Sequence, residues 1–156
     1  MSNNLKTNAN KFQFLLAPDI CDQWDRAPGA TPEAISTLVA SLSLKLPIDY
    51  LDFLQFSNGA DGPLPVQPLW CSLFKAEELV VCNQDYEIAK YLPGYLAIGS
   101  SGGGEVILFD TRTWRVCTVP VLFAEEHIWE IAPNFMQLAE MLGRSLDQQQ
   151  LAWSDK

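Results

Sequence analysis

The chain of 156 residues carries 19 acidic against 10 basic side chains, a formal net charge of −9, and is 48% hydrophobic with five Trp and eight Phe. That apolar, aromatic content excludes the class of disordered chains, and the length suits one domain able to bury about 70% of the surface of its extended form. The acidity argues against nucleic acid and anionic membranes as partners, since both demand a basic patch.

Residues 1–30 mix Asn, Lys, Pro and Gly with scattered aromatics and read as a loosely docked arm, frayed at its extreme end, whose Phe12, Phe14, Leu15, Leu16 and Trp24 reach the body. The first ten residues hold no apolar segment of the length that secretion requires, and no run of about 18 apolar residues occurs anywhere. A cytoplasmic protein is the expectation. Residues 31–145 then form the expected α+β domain. Thr31-Pro32-Glu33 reads as an N-cap, a proline at the first helical position and a first-turn acid; Ala34, Ile35, Leu38, Val39 and Leu42 follow at helical spacing.

A second helix is written start to stop between Leu46-Pro47 and Asn58-Gly59. Pro47 suits the first helical position and Asn58-Gly59 a left-handed exit. Asp49, Asp52 and Gln55 fall three apart, one narrow wet stripe on a helix otherwise apolar and nearly buried. Ala60 to Pro65 is turn material, and Val66 to Phe74 has strand content with Pro68 demoting its start to an edge. Short helical turns are expected over Glu77 to Val81 and Asp85 to Tyr91.

Tyr95 to Gly99, Glu105 to Thr111 and Trp114 to Val121 read as three strands of an antiparallel meander, joined by Ser100 to Gly104 and by a tight turn near Arg112-Thr113. Val106 to Phe109 leave neither face polar, which predicts a central strand covered on both sides. A short strand over Ile128 to Ile131 follows. Pro133 then opens a last helix with Phe135, Leu138, Ala139 and Leu142 on one stripe and Gly143 near its end. Residues 146–156 read as a polar tail.

The residues Leu46, Pro47, Tyr50, Phe53, Leu54, Asn58 and Gly59, with Trp70 further on, Ile98 to Glu105 with Gly102, Gly103 and Gly104, and then Phe109-Asp110, occur in an order and separation that resemble the SUKH superfamily. That superfamily includes the fungal Smi/Knr cell-wall-synthesis regulators. The resemblance spans roughly residues 31 to 143. It implies an α+β domain, and among bacterial members an immunity protein that neutralises a cognate polymorphic toxin, frequently a nuclease or another enzyme acting on nucleic acid.

Chemistry-bearing motifs are scarce. Ser100 to Gly104 resembles a phosphate loop in glycine content, but a strand rather than a helix follows and no Lys is near, so a structural turn is the better reading. His127 is the only histidine and nothing local marks a nucleophile beside it; a surface histidine is expected, with a hydrolase built on it the remote alternative. Cys21, Cys71, Cys82 and Cys117 lie 50, 11 and 35 residues apart, unlike a zinc or redox pair, and read as free, mostly buried thiols. No metal and no cofactor is expected. Trp70 and Trp114 are each core or exposed anchor, core being favoured for Trp70 and the question open for Trp114.

The charge is placed unevenly. In residues 1–45 four cations balance four anions, leaving 15 acids against 6 bases from residue 46 onward. The natural complement of such a surface is a basic protein; solubility alone is the other reading. The expected fold is thus α+β, an antiparallel twisted sheet of four to six strands with helices packed against it. The expected function is non-enzymatic binding of a cationic toxin domain through Asp49, Asp52, Asp61, Glu77, Glu78, Asp85 and Trp114. The alternative is a regulatory or scaffolding protein with an endogenous partner.

Overall fold

The structure, a computed structural model, describes residues 11–145; the expected fraying of the first residues and the polar tail over 146–156 lie outside that range. Seven strands pair in chain order into one antiparallel meander: β1 (Asp25–Arg26), β2 (Ala60–Pro63), β3 (Trp70–Leu73), β4 (Tyr95–Ser100), β5 (Glu105–Asp110), β6 (Val116–Pro120) and β7 (Trp129–Ala132). Helices α1 (Pro18–Cys21), α2 (Pro32–Leu42), α3 (Ile48–Phe56), α4 (Leu79–Asp85), α5 (Ile88–Tyr91) and α6 (Phe135–Met141) complete an α+β fold. The strand count exceeds the expected four to six because of β1 and β2. The segment from Ala60 to Pro63, expected as turn, is a strand bonded on both sides. Its Gly62 answers crowding rather than a bend: a Cβ there would lie 2.6 Å from the Cβ of Trp24.

Strand β5 is interior, paired with β4 and β6, and its four apolar residues are fully buried, as its uninterrupted hydrophobic run predicts. Ile107 and Phe109 face the larger core, where α2, α3 and α6 pack, while Val106 and Leu108 face a smaller one under α5. On α2, Thr31 Oγ1 accepts the Ala34 N–H at 3.1 Å and Ser43 ends the helix in the left-handed region.

Helix α3 starts one residue later than expected, with Pro47 as N-cap in extended conformation. Its exit is also shifted: Ser57 is extended, and the left-handed residue is Gly59 at φ 94°. A Cβ on Gly59 would meet the Leu73 carbonyl oxygen at 3.0 Å. Tyr50 sets its ring edge-on to Phe109 and Phe135, each 5.2 Å away, so one side chain joins α3 to β5 and α6. Phe12, Leu15, Ile20 and Trp24 from the segment before α2 lie in the same core, and Trp24 Nε1 donates to the Leu15 carbonyl at 3.0 Å.

The polar stripe of α3 is not uniformly wet. Ile48 beside it is 68% exposed, whereas Asp52 is 8% exposed and receives a short hydrogen bond from Lys11 Nζ, which also donates to Asp49 Oδ1 at 3.0 Å. Partial burial opposes the Lys11 charge, but hydrogen bonds and Coulombic attraction from Asp52 and Asp49 outweigh it and raise the ammonium pKa above its ordinary 10.5. A raised cation stabilises the fold fully below its unfolded pKa and ceases to do so as pH climbs through the folded value. Lys11→Met is therefore expected to lower stability at neutral pH, with the deficit against wild type closing in alkaline solution above pH 10.5, read by urea unfolding across that range.

The Tyr50 hydroxyl is buried with no hydrogen-bond partner among the described residues, and burial pushes the phenol pKa up. An unpaired buried hydroxyl costs about 1–3 kcal/mol of desolvation. Tyr50→Phe keeps every ring contact and is expected to raise the unfolding free energy by about 1 kcal/mol in chemical denaturation.

Candidate functional site

Strand partners directly opposite in a sheet present their side chains on the same face. Asp25 stands opposite Asp61, Asp61 opposite Ser72, Ser72 opposite Ser100, and Ser100 opposite Val106. This row therefore shares a face with the smaller core. Over β4, β5 and β6 that face is roofed by Ile88 and Leu92, with Phe123 and Ile128 packed beside them. Towards β1, β2 and β3 the roof is missing, and Asp25 and Asp61 are exposed.

Asn83 marks where the roof begins. Strand β4 is bulged between Ala97 and Gly99, and β3 pairs with it only at Ser100 and Gly99. Beyond that, Asn83 Nδ2 donates to the Ala97 carbonyl and Asn83 Oδ1 accepts the Ala97 N–H, each at 2.8 Å. One side-chain amide thus replaces a neighbouring strand.

Trp70 lies two residues from Ser72, hence on the same open face, and is 41% exposed. Its expected burial is corrected: the alternating pattern of β3 sends Cys71 and Leu73 into the core and Trp70 outward. The indole Nε1 donates to Ser72 Oγ at 3.3 Å, and Ser72 Oγ in turn makes a short hydrogen bond to Asp61 Oδ1. Val66 and Leu69, in the loop that leads into β3, are 38% and 37% exposed. Beside Trp70 lies a cleft of about 330 Å³ whose lining includes Asp25, Asp61, Ser72, Lys75 and Glu78. Arg26, although next to Asp25, is committed elsewhere, 4.0 Å over the Phe56 ring and donating to the Phe56 carbonyl at 3.0 and 3.1 Å.

The other expected contact residues are dispersed. Asp49 and Asp52 sit on α3, against the opposite face of the sheet, clasped by Lys11. Glu77 is held by Asn58 Nδ2 at 2.8 Å, and that hydrogen bond is the foremost cause of its lowered carboxyl pKa. Asn58 Oδ1 also accepts the Ala76 N–H at 2.7 Å, so the Asn-Gly motif is a structural clamp. Asp85 is exposed at the end of α4. Trp114 belongs to packing: it occupies the turn between β5 and β6 at φ 61°, edge-on to Phe109 at 5.4 Å. The structure thus brings Asp61 and Glu78 together with Asp25 and Trp70, two residues that sequence reasoning did not place at a site. For Trp70 the signal was present in the period-two pattern of Trp70-Cys71-Ser72-Leu73.

The glycine loop is closed on itself by Ser101. Ser101 Oγ accepts the N–H groups of Gly103 at 3.0 Å and Glu105 at 3.2 Å, and donates to Glu105 Oε1 at 2.6 Å. Gly102 and Gly104 take φ of 74° and 111°, which explains those two glycines by conformation alone. His127 is exposed in a short 3-10 turn over Glu125–His127. All four cysteines are free, two of them buried, and burial foremost pushes the Cys71 thiol up to about 12 and that of Cys117 to about 11. Among the described residues no cluster of His, Cys, Asp or Glu could hold a metal ion, and no helix is long and apolar enough to cross a membrane.

A meander with one face packed by helices and the other half uncovered defines an α+β protein with an open sheet surface. The family model described as the SMI1 / KNR4 family (SUKH-1) matches residues 29–141, and the chain belongs to that family. A search of curated proteins returns no match. Trp24 and Asp25 precede the matched span.

Like charges directly opposite on a sheet destabilise it, and Asp25 makes no ion pair among the described residues. Asp25→Asn is expected to raise stability by about 0.5 kcal/mol at low ionic strength, a gain that shrinks in molar salt. Thermal melting at both ionic strengths reads this directly.

Proposed function

We propose that this protein is a non-enzymatic binding protein of the immunity type, which neutralises a cognate polymorphic toxin by docking a cationic domain on the open half of its sheet. Family membership supports a protein partner. The observation that carries the proposal is the hydrogen-bonded line from Trp70 through Ser72 to Asp61, with unpaired Asp25 alongside. An exposed aromatic fixed in place next to carboxylates has the make-up of a binding hot spot, and the acidic field steers a basic partner towards it. Enzymes that act on nucleic acid carry basic surfaces, so a carboxylate-rich face competes for the same region that holds phosphates.

In this proposal the contacts narrow to Asp25, Asp61, Glu78 and Trp70. Asp49 and Asp52 contribute less because Lys11 offsets their charge. Where a toxin gene lies beside this one, co-expression of this protein is expected to rescue growth of cells producing that toxin. Combined reversal of Asp25, Asp61 and Glu78 to Lys is expected to slow association with that toxin about tenfold or more and to remove its salt dependence. Unchanged association rates in stopped-flow mixing would reject the assignment, and absence of rescue by the wild-type protein would reject the immunity role.

A further inference from the structure

Granted the binding role proposed above, we propose that the open half-face selects arginine: it takes an arginine-bearing segment of a partner protein, one guanidinium lying on the Trp70 ring and bridging the Asp61 and Asp25 carboxylates. Three features point to that side chain. The Trp70 N–H is spent on Ser72, so what the indole offers a partner is its ring, in a fixed orientation. A planar, weakly hydrated guanidinium stacks on such a ring better than a compact ammonium does. The Asp25 carboxylate accepts no hydrogen bond among the described residues, and that of Asp61 accepts only through Oδ1, from Ser72. These two carboxylates face each other across neighbouring strands, whose spacing of about 4.8 Å suits the forked donors of one arginine.

The chain sets arginines over aromatic rings internally, one of them also against a carboxylate. Arg26 stacks 4.0 Å over Phe56, and Arg112 lies 5.3 Å over Tyr95 while bonding Asp110 at 3.0 Å. On the open face the aromatic and the acids are present without an arginine paired to them; of the two basic residues lining the cleft, Arg26 is spent on Phe56 and Lys75 makes no ion pair among the described residues. Other occupants fit less well. A second copy of this chain brings a net charge of −9 against the same acidic face, and a phosphate backbone is repelled outright.

The test titrates the isotope-labelled full chain with nona-arginine and, separately, nona-lysine, following Trp indole and backbone amide signals by NMR. The expected result is a set of shifts centred on the Trp70 indole and on the amides of Asp25, Asp61 and Ser72, with arginine binding about tenfold tighter than lysine. Trp70→Ala and the pair Asp25→Asn with Asp61→Asn should each weaken nona-arginine binding about fivefold or more without loss of the folded spectrum. Should Trp70→Ala fail to fold, the Asn pair decides. Equal affinity for the two peptides, shifts centred on another surface, or undiminished binding by the Asn pair overturns the proposal. Growth rescue separates it from the immunity role. Rescue by the Asn pair as strong as by wild type overturns the arginine site while the role stands; a correct shift pattern without wild-type rescue upholds the site while the role falls.

Discussion

Phe53 has Phe12 edge-on at 5.2 Å, Phe135 at 5.3 Å and Trp24 at 6.4 Å, while Tyr50 one turn earlier meets Phe109 and Phe135. Through these contacts α3 joins the segment before α2, strand β5 and the last helix into one core. Each such aromatic pair contributes about 0.5–1.5 kcal/mol beyond the area it buries. The longer helices α2 and α3, with α6, gather on the face that α3 presents its rings to, while α5 covers part of the other. A helix of only four residues, Ile88–Tyr91, with its neighbouring turns roofs β4 to β6 and leaves β1 to β3 open.

Local pattern was enough to read the elements whose neighbours lie close in sequence. Thr31 caps α2 through an N–H three residues away, and Val106 to Phe109 announce two buried faces by leaving no polar residue between them. The meander from β4 to β6 is legible for the same reason, since each hairpin is closed by its own loop. Strand β2 was hidden because glycine and proline serve it for proximity to Trp24 and for the strand's end, the same residues that elsewhere make turns. Strand β1 spans two residues, and its pairing with β2 is set by packing far along the chain.

The site was harder to read than the fold. The charge of Asp52 is compensated by Lys11, 41 residues away, a relation invisible to any helical wheel. Asp25 gains its significance only by lying opposite Asp61, and Trp70 only by the absence of a helix above it. Acidic residues counted along a sequence do not reveal which of them share a surface. Of those expected, Asp61 and Glu78 share a cleft, Glu77 is tied to Asn58, and Trp114 packs on Phe109.

Asn83 has a consequence for self-association. Where β3 departs, the exposed rim of β4 would invite an extended segment from another molecule to add itself there. The amide closes that rim from within, satisfying both main-chain groups of Ala97. Because the stand-in is a side chain on a helix, it offers no outer row of hydrogen-bonding groups on which further chains could stack. In an interior strand of branched and aromatic residues, this leaves no unpaired main-chain group at Ala97 for a foreign segment to use.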